Sequence, residues 1–245
     1  MIEITIPILN EEDTLYDNIK LVIKYIKNNL SEYQPISIIL ADNGSTDRTQ
    51  DIAIKLSNDF ESVKYIRLNQ RGVGRALKKS WTQSNADIIG YMDLDLATDL
   101  KYLKHAFDIL INDKADILSG SRLKTGANVI GRTALRSFTS KAFNLIVKLI
   151  FNTSHSDGMC GFKFLQKNIF NNLLNTGAQS DGWFFSTELL ITSEYLGYRV
   201  YDLPVTWTDD QNSKVKIIKL AIEYLKAMII LHNKLSKIKN HHAIS

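Results

Sequence analysis

Short apolar, β-branched runs alternate along this chain with segments patterned as helices, and few folds accommodate that rhythm. The strand-like runs fall at 2–8, 36–41, 63–68, 88–92, 117–119 and 200–205. Helix-like stretches fill 11–29, 46–57, 73–83, 99–112, 133–151, 184–196 and 215–238. Strands separated by helices of about ten residues or more imply βαβ units, hence an α/β fold with a mostly parallel central sheet flanked by helices on both faces. With three prolines in 245 residues, no repeat and no low-complexity linker, no domain boundary is visible.

In open sheets of this kind, ligands bind beyond the C-terminal ends of the strands. Polar clusters stand at those places: Asn10–Glu11, Asp42–Asp47, Asp93–Asp95 and Ser121–Arg122. Asp42 ends a strand without being needed for the Asn43-Gly44 turn after it, and a carboxylate there accepts hydrogen bonds from a nucleobase or a ribose. Ser45 and Thr46 fit helix capping as well as ligand contact. Asp93 and Asp95 lie two residues apart at the end of an apolar strand and point to the same side. Held close, two carboxylates repel unless a cation joins them or one takes a proton. Mg²⁺ or Mn²⁺ suits such oxygen ligands, the plainer alternative being two solvated acids on a loop. Gly72-Val73-Gly74 is similar to a phosphate turn at a helix start but has neither the dinucleotide nor the Walker spacing. It reads as a turn that brings backbone close to a nucleotide, with Arg75, Lys78 and Lys79 beside it in solvent.

Composition narrows the class. A 44% hydrophobic chain is not disordered, and Cys160 as sole cysteine excludes a disulfide scaffold. No stretch reaches the roughly 18 uncharged apolar residues of a membrane span. The first residues read as a strand rather than a signal peptide, so a cytoplasmic setting is expected. The formal charge is +4, yet residues 214–245 hold seven lysines against Glu223 alone. Without an aromatic-interleaved basic run, nucleic acid is not an expected partner.

In order along the chain stand Pro7-Ile8-Leu9-Asn10-Glu11, Asp42-Asn43-Gly44-Ser45-Thr46-Asp47, Gly72-Val73-Gly74-Arg75-Ala76, Asp93-Leu94-Asp95 and Gly120-Ser121-Arg122. Cys160-Gly161-Phe162-Lys163, Glu188-Leu189-Leu190, Pro204-Val205-Thr206-Trp207 and Ser213-Lys214 follow. The set resembles glycosyltransferase family 2, in its branch that makes dolichyl- or polyprenyl-phosphate sugars, and most looks like dolichyl-phosphate glucose synthases. The resemblance implies a GT-A (Rossmann-like) domain over 1–214, followed by a basic amphipathic helix and tail at 215–245 without a transmembrane segment. It implies a nucleotide-sugar donor, a UDP-sugar before others, and a polyprenyl or dolichyl phosphate acceptor. Pro7, Asn10, Glu11, Asp42 and Gly72 match nucleotide positions, and Asp93 and Asp95 the DxD pair on metal and diphosphate. Arg122, Arg136, Ser140 and Lys214 match acceptor-phosphate positions, and Asp157 falls where a carboxylate orients or charge-balances the site. Three departures count against GDP-mannose: Asn43 in place of an acid, Ala97 two residues after the DxD, and no arginine ahead of Ser213-Lys214. They also keep open a degenerate, non-catalytic nucleotide-sugar binder, just as the family keeps open other donors and a sugar-hydroxyl acceptor.

A lipid acceptor needs a place for its tail. Phe138, Ala142, Leu145, Ile146, Leu149 and Ile150 form one helical apolar pattern, and Ile217, Leu220, Ala221, Tyr224, Met228 and Leu231 another. Core packing explains either stripe at least as well as lipid contact. Basic and amphipathic together, they fit a protein peripheral to the cytoplasmic face of a membrane, or held there by a membrane partner.

Overall fold

Ile2, Ile4, Ile6 and Ile8 of the first strand, β1 (Ile2–Ile8), are all buried on one face of a sheet, and the residues between them meet the opposite face. The computed structural model describes residues 1–209 and 217–242. After β1 come α1 (Leu15–Asn29), β2 (Ile36–Asp42), α2 (Thr49–Asp59), β3 (Val63–Arg67), α3 (Val73–Gln83), β4 (Ile88–Met92), α4 (Tyr102–Ile111) and β5 (Ile117–Ser121). The chain continues through β6 (Asn128–Ile130), α5 (Ala134–Phe151), β7 (Phe162–Gln166), α6 (Lys167–Thr176), α7 (Phe185–Tyr195), β8 (Val200–Pro204), β9 (Thr206–Thr208) and α8 (Ile217–His242).

Seven strands form the main sheet in the order β3-β2-β1-β4-β7-β5-β8. All neighbours are parallel except β7, which runs against both β4 and β5. The sheet is therefore mostly parallel, as the alternation of runs implies. Helices α1, α2 and α4 pack their apolar stripes on one face, with Leu15, Ile19, Val22, Leu56 and Phe107 fully buried. On the other face α3, α6 and α7 bury Leu77, Trp81, Phe170 and Phe185. A third apolar cluster joins α5 through Val147, α7 through Phe184 and Ile191, and α8 through Tyr224, Met228 and Leu231. β6 and β9 pair as a small separate ribbon, which Thr98 joins through a bridge to Trp207.

Besides the short β6 and β9 of the ribbon, two elements depart from the sequence expectation. No strand is expected at 162–166, yet β7 lies in the middle of the sheet and leads directly into the equally unexpected α6. Its second residue is Lys163, fully buried, whose charge argues against a buried strand when read from sequence. The ammonium is satisfied locally by the carbonyls of Gly158, at 3.1 Å, and Cys160, at 2.6 Å. The two candidate lipid stripes also part company. Tyr224, Met228 and Leu231 of α8 are core, whereas Phe138, Leu145, Ile146, Leu149 and Ile150 of α5 are exposed.

β1 is the switch point of the sheet. It pairs with β2 as far as Ile8↔Asp42 but with β4 only as far as Thr5↔Tyr91, so a crevice opens between the ends of β1 and β4. Pro7 lies beyond the last β4 pair, where its missing N–H breaks no bond on that side.

Candidate active site

The β1 and β2 ends are tied to each other by side-chain hydrogen bonds. Asn10, in the left-handed region at φ 56°, accepts from the Thr46 N–H at 2.8 Å through Oδ1, and its own N–H donates to Ser45 Oγ at 3.1 Å. The Glu11 N–H donates to Thr49 Oγ1 at 2.7 Å. Asp42 is fully buried and accepts four bonds: Ser45 N–H at 2.8 Å, Ser45 Oγ at 2.7 Å, Tyr65 Oη at 2.9 Å and Arg67 Nη1 at 2.9 Å. The expectation that Asp42 is not needed for the turn is thus corrected, because its carboxylate holds the turn closed. Beside it Asn43 Oδ1 is buried without a partner among the described residues.

Gly72 also takes a different place. At φ 148°, it lies so close to the Asp181 carbonyl that a Cβ would collide with it. Gly74 meets the carbonyl of Ser180 in the same way, and its N–H donates to Gly182 O at 3.2 Å. The glycines let the start of α3 approach the 180–182 backbone, so the nucleotide assignment of Gly72 is replaced by a packing one. Arg75 and Lys78 are not in free solvent either, since both pair with Asp181, at 2.5 and 2.8 Å.

At the end of β4, Asp93 is half-buried and Asp95 exposed. The Asp93 carboxylate lies against Gly161, where any Cβ would displace it, and its N–H donates to Gly161 O at 3.1 Å. Burial first, and then the like charge of Asp95, push Asp93 up to about 7, against the pull of Arg122 and Lys163. A second carboxylate that makes the first reluctant to ionise is the condition a cation relieves. Among the described residues no group of three His, Cys, Asp or Glu side chains could hold a metal by itself. Two carboxylates suit a hard cation that takes its other oxygens from a bound diphosphate and water, so the residues present fit such an ion.

β7 runs backwards, and this brings its N-terminal end to the same edge. Asp157 there is fully buried and grips Arg122 with both oxygens: Nε at 2.7 Å and the N–H at 3.1 Å on Oδ2, Nη2 at 3.0 Å on Oδ1. Burial would raise the acid, but the guanidinium and its hydrogen bonds hold it down at about 2. Arg122 lies 4.8 Å from the centre of the Trp207 ring. Its fork is therefore spent on Asp157, which corrects the expectation of a guanidinium open to an acceptor phosphate. Arg136 pairs with Asp209 at 2.7 Å. Ser140 is buried and accepts from Arg132 Nη2 at 2.6 Å. Lys214 lies outside the described residues.

Arg132 is the residue that sequence reasoning missed. Its Nη1 is buried with no partner among the described residues. Burial first, then the Arg122 and Arg136 cations, hold it below the ordinary arginine value despite the pull of Asp209 and Asp157. The residue precedes Thr133, whose hydroxyl caps α5, so no helical period marks it. The one available signal is basic residues at 132 and 136 on either side of a capping threonine. Arg132 is thus within electrostatic reach of Arg122 and Arg136, Arg122 in turn acts on Asp93, and one Arg132 N–H has no acceptor among the described residues.

The description "Glycosyl transferase family 2" fits residues 3–174, from β1 into α6. Glycosyltransferase AglD of Haloferax volcanii is 27% identical over 219 residues, which is 89% of this chain and 35% of that protein. The chain thus spans about a third of AglD. Dolichyl-phosphate beta-glucosyltransferases ALG5A and ALG5C of Trichomonas vaginalis are 26% and 27% identical, over 93% and 96% of this chain and 73% of each relative. Among solved structures, glucosyl-3-phosphoglycerate synthase from Mycobacterium tuberculosis, bound to Mn²⁺, UDP-glucose and phosphoglyceric acid, superposes with a TM-score of 0.69 at 15% identity. The match covers 95% of this chain and 80% of that one. With a GT-A sheet, acids at its switch point and a family signature across most of its length, the chain is a glycosyltransferase and belongs to glycosyl transferase family 2.

Proposed function

We propose that this enzyme moves glucose from UDP-glucose to a polyprenyl or dolichyl phosphate with inversion at the anomeric carbon. The observation that carries the acceptor half is the buried, unpartnered Nη1 of Arg132 beside Arg122 and Arg136. A guanidinium N–H out of water and without a partner is costly, and a phosphate oxygen is its natural acceptor. The choice of glucose and UDP draws support from the Trichomonas relatives and from the ligands of the mycobacterial structure.

The chemistry asks little of a base. A phosphate monoester, with a second pKa of about 6, is largely a dianion at neutral pH, and its oxygen attacks the anomeric carbon directly. The bond from that carbon to the UDP oxygen breaks, the electron pair leaves with the diphosphate, and an α-linked donor gives a β-linked product. Asp157 does not accept a proton in this scheme, since Arg122 keeps it ionised and occupied. It keeps the Arg122 cation in place against Trp207. Asp93 and Asp95 would hold Mg²⁺ or Mn²⁺, which when bound neutralises the charge gathering on the leaving diphosphate. Gly161 leaves room for the Asp93 carboxylate. Arg132 and Arg136 anchor the incoming anion, and Pro7, Asn10, Glu11 and Asp42 line the crevice on the nucleotide side. The setting proposed with a lipid-linked acceptor is the cytoplasmic face of a membrane.

The deciding experiment is a donor screen of UDP- and GDP-sugars against a short-chain polyprenyl phosphate, following label into butanol-extractable lipid. Transfer from UDP-glucose, dependent on added Mg²⁺ or Mn²⁺, is the expected result. Transfer to a sugar hydroxyl in place of the lipid, or no transfer from any donor, would refute the assignment.

A further inference from the structure

Lysine is seldom fully buried, and an ammonium out of water is costly unless it is paired or hydrogen-bonded. Lys163 is such a residue. In the sheet it stands opposite Tyr91 of β4 and Ser119 of β5, so the three side chains share a face. Its two bonds go to backbone carbonyls rather than to a carboxylate: Cys160 O at 2.6 Å and Gly158 O at 3.1 Å. Other donors converge on the same oxygens. Thr187 Oγ1 at 3.0 Å and Ser186 Oγ at 3.3 Å donate to Gly158 O. Tyr91 Oη donates to Ser186 Oγ at 2.6 Å and lies 3.4 Å from Cys160 O. The Gly158 N–H in turn donates to Asn144 Oδ1 at 2.8 Å. The turn at 157–161 is thus gripped from β4, α5, α7 and β7 together.

The ends of this turn are parts of the site, although Lys163 is not. At one end Asp157 holds the Arg122 fork. At the other, Gly161 O accepts the Asp93 N–H at 3.1 Å, and the glycine lies so close that an added Cβ would meet the Asp93 carboxylate. A rigid turn makes these two contacts one fixed spacing, and a loose one uncouples them. We propose that Lys163 is a positioning residue for sugar transfer, which fixes the 157–161 turn and so sets the distance between Asp93, at the leaving diphosphate, and the Arg122–Asp157 pair, on the acceptor side. A hydrocarbon of similar length would fill the space but leave the Gly158 and Cys160 carbonyls without their cationic donor. The turn would relax, and about 1 Å of misplacement between reacting groups costs about a hundredfold in rate. The roles of the two ends rest on the proposed function, but the inference does not depend on which sugar or acceptor is used.

The test is the fate of the donor, because a misaligned site loses sugar to water instead of passing it to the acceptor. In Lys163→Met, transfer is expected to fall by about a hundredfold, while UDP affinity and the slow hydrolysis of the nucleotide sugar stay within about threefold of the parent. The ratio of transfer to hydrolysis therefore collapses. A merely structural role would lower both rates by one factor, the folded fraction measured by circular dichroism, and leave the ratio alone. Thr187→Val, close to the parent in volume, removes one donor from Gly158 O and keeps the ammonium, and should lower the ratio by about 3–10-fold. It decides the matter if Lys163→Met does not fold. A parent-like ratio in both variants, a parent-like ratio in Thr187→Val when the other is unfolded, or a fall in UDP affinity as large as the fall in transfer would overturn the proposal. Absence of transfer to polyprenyl phosphate by the parent enzyme would refute the acceptor assignment instead, and the ratio would be measured with the acceptor that the screen identifies.

Discussion

The two sides of the crevice are built from opposite materials. On the β1–β3 side, loops are closed by short contacts that are all satisfied: Asn10 to Thr46 and Ser45, Glu11 to Thr49, and one buried acid, Asp42, with four donated bonds, one of them from the Arg67 cation. On the side built from residues 122–161, a buried ion pair, Arg122 on Asp157, stands beside the half-buried Arg132, which donates to Ser140 and has a buried guanidinium N–H left over. A side closed by satisfied hydrogen bonds holds its shape before a ligand arrives. A side with a buried guanidinium N–H and no acceptor for it among the described residues gains that bond when an anion enters. The contrast matches a donor whose base and ribose need placement and an acceptor whose charge needs compensation.

The largest effect should fall between the two sides. Asp95→Ala is expected to lower transfer by about a thousandfold or more while leaving the fold intact, its exposed side chain giving up the bond from the Ala97 N–H at 3.0 Å. Near-parent turnover in that variant would remove the carboxylate pair from the chemistry. Next comes the charged side. Asp157→Asn leaves Arg122 buried opposite a neutral partner, and urea denaturation should show a loss of about 3–5 kcal/mol. Its pH signature follows from the depressed acid. The pair's contribution is whole above the unfolded value of about 4 and disappears as pH falls through about 2, so Asp157→Asn should flatten the acid limb of the stability curve between those points. An unchanged acid limb would mean that Arg122 does not hold Asp157 ionised.

Arg132→Met separates the sides most directly. The KM for the lipid phosphate should rise about 10–100-fold with UDP-glucose affinity unchanged, in keeping with one charged hydrogen bond. A shift in donor affinity instead would place Arg132 on the wrong side of the crevice. The smallest effect belongs to the β1–β3 side. Tyr65→Phe takes one of four donors from Asp42, costs about 1 kcal/mol in stability, and should change donor KM only a few-fold. A loss as large as that of Arg132→Met would erase the contrast.

Elements with one apolar face were readable from the residues, because one face leaves one interpretation. The isoleucines of β1 and the stripe of α1 are of this kind. β7 was not, since the lysine near its start looks like a solvent residue until the carbonyls of Gly158 and Cys160 are seen around it. Nor was the choice between the stripes of α5 and α8, because periodicity finds a face without saying what the face meets. In the site, the carboxylate pair was expected from strand ends, and Arg122, Arg136, Ser140 and Asp157 were named from motif order; the structure pairs Arg122 with Asp157 and sets Arg136 and Ser140 beside Arg132. What side chains do to one another was hidden: the capture of Arg122 by Asp157, the four-fold use of Asp42, and the approach that Gly72 makes to Asp181. All three depend on contacts between segments that are distant in sequence or on which of two oxygens is used.

The reversed strand β7 has a consequence for how such enzymes diversify. Because β5 and β7 are neighbours in the sheet, everything from Arg122 to Gly161 is one excursion that leaves and re-enters adjacent rungs. Arg122, Arg132, Arg136, Ser140, Asp157 and the outer stripe of α5 all belong to that excursion. On the proposed function, most of what receives the sugar lies in this one excursion, with Trp207 and Asp209 reaching it from β9 and just after. Exchanging the excursion would retarget the enzyme while leaving the scaffold that reads the donor in its original form.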